Sequence, residues 1–141
     1  MTMGTWDAYR RGLAAYNAGD LDAYLREFAE DAVLQRPDGD ATGRAAIRGV
    51  WDRELRTFPD RFLVVLASAV QDGVVAVEWL WKGTNTGPVH APDGRLLPAT
   101  GRHVELRGME IAQFRGEVIV AYRMYWDHRQ VQRQLAGASS A

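Results

Sequence analysis

The chain has 141 residues, 47% of them apolar and 25% charged, with a formal net charge of −1 and no cysteine. That length makes one domain with a single core, 1–141, and the near-zero charge gives no electrostatic reason to bind nucleic acid or an anionic membrane. The missing thiols exclude disulfides, cysteine nucleophiles and thiolate metal sites.

Trp6, Tyr9, Leu13 and Tyr16 recur at helical spacing and predict a helix over 5–17. Gly19 suits its C-terminus, and Asp20 suits the N-cap of a second helix carrying Leu21, Tyr24, Leu25 and Phe28 on one face. A short strand is expected at 31–36, stopped by Pro37-Asp-Gly39, and a third helix from Gly43 to about Arg56, ended by Phe58-Pro59-Asp60. Phe62 to Val70 reads as a strand, Asp72-Gly73 as a hairpin turn, and 74–81 as the returning strand, with Val75, Val77, Trp79 and Trp81 on one face. Gly87-Pro88, Pro92-Asp-Gly94 and Pro98 make 83–100 a long loop, one that could lid a pocket. Strands at about 102–114 and 118–127 flank a turn at Arg115-Gly116-Glu117, and a short terminal helix follows. The core spans about 5–135, and the Ala/Ser tail over 136–141 is expected to be disordered. Helix, helix, strand, helix and then four antiparallel strands make an α+β layout: three N-terminal helices packed on a curved, mostly antiparallel sheet around a cone-shaped cavity. No segment reaches membrane-spanning length and the N-terminus lacks a signal-peptide pattern, so a cytoplasmic protein is expected.

The chemistry concentrates on the last two long strands. Glu110 shares a strand face with Ala112 and Phe114, and the returning strand brings Tyr122, Met124 and Trp126 at period 2. A lone acid on such a face is costly to bury unless its pKa rises or a partner satisfies it, and catalytic groups occupy such positions. Glu110 is therefore a general acid/base or a neutral hydrogen-bond donor, or else half of a buried salt bridge with an arginine. Arg36 would stabilise an enol oxygen, pair with Glu110 and keep it ionised, or stand in solvent at the strand end. Asp127 is an acid at the mouth of the pocket or an N-cap of the terminal helix. Trp79, Trp81, Tyr122 and Trp126, with Met124 and Phe114, would form a wall for a flat ligand or plain core packing. Trp51, on the third helix, would close the same cavity or pack beneath it. His90 falls in the Gly/Pro loop. His103, Glu105 and Arg107 alternate, and with Glu78 and Lys82 they form a polar outer row suited to a wet dimer contact. No His–acid pair has metal-ligand spacing, and there is no phosphate loop or dinucleotide fingerprint, so neither a metal nor a cofactor is expected.

Several short motifs in order resemble the nuclear transport factor 2-like superfamily, and within it the SnoaL-like polyketide cyclases. They are Asn17-Ala-Gly-Asp20-Leu, Phe28-Ala-Glu-Asp31-Ala, Gly43-Arg-Ala-Ala-Ile47-Arg, Phe58-Pro-Asp60, Gly83-Thr84-Asn-Thr-Gly87, Thr100-Gly101-Arg, Tyr125-Trp-Asp127 and Gln134-Leu135. The resemblance covers 5–135 and implies the cone fold. In ketosteroid isomerases of this fold, a strand Asp acts as base opposite a Tyr and a protonated acid. Here the base position falls on Arg36 and the Tyr position on Gly12, leaving Glu110 as the one counterpart and arguing against steroid isomerisation. In the SnoaL cyclases an Asp near the end of the last strand, helped by a His on the adjacent strand, drives an aldol ring closure. Those positions fall on Met124 and Glu110, while Asp127 matches a second family acid. The Asp–Arg–Asp relay of limonene epoxide hydrolases also meets Met124. The resemblance thus implies a cofactor-independent cyclase or isomerase for a hydrophobic, polyketide-like carbonyl compound, with Glu110, Arg36, Tyr122 and Asp127 as acting groups. The alternative it leaves is a non-catalytic small-molecule binding protein, since Met124 replaces the family acid. A homodimer is expected in either case.

Overall fold

The computed structural model describes residues 3–137. Helix α1 (Thr5–Ala18) buries Ala8, Tyr9, Gly12 and Tyr16, an inward stripe at helical spacing. Gly19 closes it in the left-handed region at φ 71°, its N–H bonding to the Tyr16 carbonyl. Asp20 then caps α2 (Leu21–Leu25) by accepting from the Ala23 N–H at 3.1 Å. Both ends are where the sequence predicts them.

The next element departs from expectation. The helix over 21–28 stops at Leu25, and β1 (Phe28–Gln35) begins at Phe28 rather than Asp31. The cause is a long-range pairing: the Glu27 carbonyl accepts from the Ile119 N–H at 2.8 Å, and Phe28 pairs with Ile119. Strand pairing with the far end of the chain overrides the local helical spacing.

After β2 (Ala41–Thr42) and α3 (Arg44–Thr57) come β3 (Phe62–Gln71), β4 (Val74–Thr84), the short β5 (Val89–His90) and β6 (Leu96–Leu97), β7 (His103–Arg115) and β8 (Val118–Trp126). Asp72 and Gly73 join β3 to β4 with positive φ at both residues, as a tight hairpin turn requires. The main sheet has the order β2-β1-β8-β7-β4-β3, with β1 parallel to β8 and every other pair antiparallel. Irregularities at Val65/Ala67 in β3 and at Gln113/Phe114 in β7 interrupt the ladders, and such bulges add the twist that curls a sheet. Val75, Val77, Trp79 and Trp81 of β4, Leu106, Glu110 and Ala112 of β7, and Tyr122 and Met124 of β8 are buried at period 2 on the concave face. α1 lies against β3 and β4, and α3 against β1. Gly108 sits opposite Trp79 because nothing larger fits: an added Cβ would be 2.6 Å from the Trp79 ring.

The segment 83–100 is anchored at both ends. β4 runs on to Thr84, and the fully buried Asn85 staples the loop beyond it. Its amide donates to the carbonyls of Thr57 at 3.2 Å and Gly87 at 2.8 Å, and its oxygen accepts from the Thr100 N–H at 2.8 Å. These bonds hold both ends of the loop on the end of α3. The terminal helix α4 (His128–Ala136) covers the stretch of β7 that β8 leaves unpaired. There the Gln134 side chain accepts from the Glu105 N–H at 2.8 Å and donates to its carbonyl at 2.7 Å. Of the expected disordered tail, Ala136 belongs to this helix and 138–141 lie outside the described residues. Among the described residues no helix is long and apolar enough to cross a membrane.

Candidate active site

Glu110 points inward from the middle of β7, opposite Val77 on one neighbouring strand and Met124 on the other, and is 0% exposed. Its Oε2 accepts two phenol hydrogen bonds, from Tyr9 of α1 at 2.7 Å and from Tyr122 of β8. Oε1 has no partner, nor has the Trp79 indole N–H nearby. Tyr122 reaches this point because it pairs with Ala112, one inward position along from the Glu110–Met124 pair. Burial is the largest influence on Glu110; the bonds from Tyr122 and Tyr9 and the nearby Trp79 offset it only in part, so its pKa is pushed up to about 7. Burial, and then the Glu110 charge, also raise both phenols well above their usual range.

Arg36 joins neither Glu110 nor the solvent. Its guanidinium bonds both oxygens of Asp38, at 2.9 and 2.8 Å, and Glu54 Oε1 at 3.2 Å. It lies 5.1 Å from the Trp51 ring centre and 4.9 Å from that of Trp126. Burial lowers the Arg36 pKa, but Glu54 and Asp38 more than offset that and hold it above the usual arginine range. The expectation that Arg36 stabilises an enol oxygen is thus corrected: its hydrogen-bonding fork is already committed to two carboxylates.

Glu54 is the centre of a second polar cluster. Tyr16 donates to its Oε2 at 2.7 Å, and the Trp81 indole donates to the Tyr16 oxygen at 2.8 Å. Arg61, 3% exposed, stacks its guanidinium 3.7 Å from the Tyr16 ring centre and donates to the Tyr16 carbonyl at 2.6 Å. Its Nε stands 3.3 Å from Glu54 Oε2, an ion-pair distance without hydrogen-bond alignment.

Between the two clusters lies a cavity of about 20 Å³. α1 contributes Tyr9, Gly12, Leu13 and Tyr16 to its wall, α2 Tyr24, α3 Trp51, and the sheet Leu63, Ile119, Tyr122 and Met124. That space holds about one water molecule, so a ring-sized ligand requires the surrounding aromatic side chains to move apart. Glu110 itself stands behind Tyr9 and Tyr122 and does not line the wall. Of the expected aromatic wall, Trp51, Tyr122 and Met124 are in place. Trp79 is packed over Gly108, Trp81 is bonded to Tyr16, Trp126 lies beside Arg36 with its N–H on His128, and Phe114 sits beyond the bulge at the hairpin end. Asp127 is the N-cap of α4, accepting from the Arg129 N–H at 3.0 Å, and not an acid of the cavity. His103 pairs with Glu105 at 3.6 Å on the outer face, and His90 is exposed on β5. No group of His, Asp and Glu able to hold a metal ion occurs among the described residues.

Sequence reasoning singled out Glu110 but not Tyr9, Tyr16, Glu54 or Arg61. Tyr9 corrects the reading of Gly12: α1 does present a phenol to the acid, from one turn earlier. The available signal was that Tyr9 and Tyr16 fall on the inward stripe, where a phenol hydroxyl needs a partner.

A mixed sheet curled over three helices is the fold of the nuclear transport factor 2-like proteins. The chain belongs to the SnoaL-like domain family, whose model matches residues 9–122. Solved structures agree in fold. IdmH, a candidate polyketide cyclase from Streptomyces antibioticus, is 26% identical with a TM-score of 0.75, covering 95% of this chain and 99% of its own. A candidate polyketide cyclase from Xanthomonas campestris pv. campestris is 23% identical with a TM-score of 0.80, covering 93% and 96%. A nuclear transport factor 2-like protein of unknown function from Cytophaga hutchinsonii is 13% identical with a TM-score of 0.69, covering 94% and 97%. Among curated proteins the chain has no significant sequence match.

Proposed function

We propose that the protein is a cofactor-independent acid–base enzyme that moves a proton next to the carbonyl of a hydrophobic, polyketide-like compound, leading to cyclisation or isomerisation. The observation that carries this reading is the state of Glu110: fully buried, held at Oε2 by two phenols, free at Oε1, with its pKa at about 7. A carboxyl poised near neutral pH can both take and return a proton, and Tyr9 and Tyr122, which line the cavity and bond its Oε2, connect it to a ligand there. Tyr9 and Tyr122 fix the carboxyl in place and form the wall between it and the cavity. The polyketide cyclase neighbours support the substrate class. A homodimer through the outer sheet face is part of the same proposal, supported by the exposed Phe62, Val64, Met109 and Tyr125 on it.

Hydrogen–deuterium exchange at the methyl group of acetophenone, a small enolisable ketone, tests the chemistry. The native protein accelerates exchange with a rate that follows one ionisation near pH 7, and Glu110→Gln loses that acceleration. Equal rates for the two proteins sink the proposal. A non-catalytic binding protein is the second reading. It is favoured by Met124 at the family's acid position and by Glu110 standing behind the cavity wall, and it predicts saturable binding without exchange.

A further inference from the structure

Any ligand oxygen that enters the cavity needs a hydrogen-bond donor, and the polar groups around it are mostly committed. The hydroxyls of Tyr9 and Tyr122 donate to Glu110, and that of Tyr16 donates to Glu54. The Trp81 indole donates to Tyr16, and Arg36 bonds Asp38 and Glu54. Among the described residues, the Trp51 indole is a wall donor buried without an acceptor, while the other uncommitted hydroxyl of the wall, that of Tyr24, stands beside Tyr122. Trp51 lines the cavity and is 1% exposed. A buried N–H left unpaired is destabilising, a penalty that a ligand oxygen would remove. The ring is also held for the task. Tyr16, Tyr24 and Tyr122 meet it edge-on, with centroids 5.8, 5.4 and 6.3 Å away, and the Arg36 guanidinium lies over its face at 5.1 Å. A cation over an indole draws electron density from the ring and makes its N–H a stronger donor.

We propose that the Trp51 indole N–H is the donor that holds the ligand's carbonyl or enol oxygen, which makes Trp51 a specificity-determining residue and Arg36 the group that positions and polarises it. This rests on the preceding reading only in that the cavity takes an oxygen-bearing ligand; it does not require turnover. The competing explanation is that the N–H points into the face of a neighbouring tyrosine ring, a weak bond that needs no ligand.

The test compares acetophenone, whose carbonyl accepts a hydrogen bond, with ethylbenzene, which lacks the oxygen. Binding of both is measured to the native protein and to Trp51→Phe, which keeps an aromatic ring and loses the N–H. The native protein is expected to prefer acetophenone by about tenfold, and Trp51→Phe to abolish that preference while binding ethylbenzene nearly as before. In the native protein itself, the Trp51 indole N–H resonance, assigned by its disappearance in the variant, moves downfield with acetophenone and not with ethylbenzene. If Trp51→Phe fails to fold, identification instead rests on nitrogen-15 labelled tryptophan in native protein and Arg36→Lys. The inference is overturned if the preference survives in the variant, if both compounds weaken together, if no indole resonance moves, or if neither compound binds. Preference and resonance shift without deuterium exchange would remove the catalytic reading and leave this one standing. Exchange that Trp51→Phe does not affect, with an unchanged preference, would do the reverse.

Discussion

Glu54 and Glu110 flank the cavity a few side chains apart, and the fold treats these two carboxylates in opposite ways. Glu54, on α3, is met by two guanidinium groups, Arg36 at 3.2 Å and Arg61 at 3.3 Å, with the Tyr16 hydroxyl as a third partner. Glu110, on β7, is buried more completely yet has no cation beside it, only the hydroxyls of Tyr9 and Tyr122 on a single oxygen. An ion-paired carboxylate is settled: its partners satisfy it and fix the helices around it. A carboxyl caged by phenols is poised, since burial disfavours its charge and neutral donors compensate incompletely. The contrast separates a structural acid from a candidate catalytic one. The two buried guanidinium groups, Arg36 and Arg61, are placed on Glu54 and Asp38 instead.

The largest expected effect comes from removing the settled acid. Glu54→Ala leaves Arg36 and Arg61, with side chains only 7% and 1% exposed, short of their shared counter-charge. Loss of one partner from a buried ion pair typically costs about 3–5 kcal/mol. Urea denaturation of the variant should show a loss of that size. A loss below about 1 kcal/mol, the range of a surface pair, would erase the distinction between the two clusters.

The poised acid should reveal itself through pH. In the folded chain the Glu110 pKa is about 7, against 4.5 for the ordinary glutamate. Below both values the group is protonated in the folded and unfolded states alike, and its stabilising contribution is fully present. Between them the folded state holds a proton that the unfolded state has released, so stability falls as pH rises through the window and levels off above about 7. The difference corresponds to a loss on the order of 3 kcal/mol. Glu110→Gln keeps the volume and an acceptor for the phenols but cannot titrate. Its unfolding free energy should lack this decline, making it more stable than the native protein at pH 8 and close to it at pH 4. Parallel pH profiles for the two proteins would show that Glu110 is not perturbed.

How these clusters relate to the sequence explains what was legible in it. Glu110 stood out because period 2 places it between Ala112 and Gly108 on an apolar strand face, where one acid is conspicuous. Glu54 did not, because Trp51-Asp-Arg-Glu-Leu-Arg56 reads as a charged helix face, and its partners come from three other places: the end of β1, the start of β3 and the last turn of α1. The pairing of Arg36 with Glu54 and Asp38 could not be chosen over a pairing with Glu110 from spacing alone. The same holds for the parallel junction of β1 with β8, which brings together segments some ninety residues apart and sets the first strand's start at Phe28. Turns and caps were legible because their chemistry is local: Gly19, Asp20 and Asp72-Gly73 act where they stand. The family was legible through many such local signals in the right order. The aromatic wall was only half so, since parity puts Trp79 and Trp81 on the concave face but cannot say that Gly108 and Tyr16 absorb them.

A subtler change sharpens the contrast within the caged acid. Tyr122→Phe removes one of the two donors to Glu110 Oε2 and leaves the other from Tyr9 in place. The phenol bond from Tyr122 holds the Glu110 pKa down, so its loss should carry the midpoint above about 7, as read by carbon-13 titration of the labelled carboxyl. The stability cost should be about 1–2 kcal/mol, the range for one buried hydrogen bond whose acceptor keeps a second partner. The pH midpoint of acetophenone exchange should move in the same direction as the carboxyl titration. Agreement between the two would tie the chemistry to the caged carboxyl itself. A carboxyl that shifts while the exchange midpoint stays fixed would place the proton transfer on another group, and the phenol cage would then be a packing device like the ion pairs of Glu54.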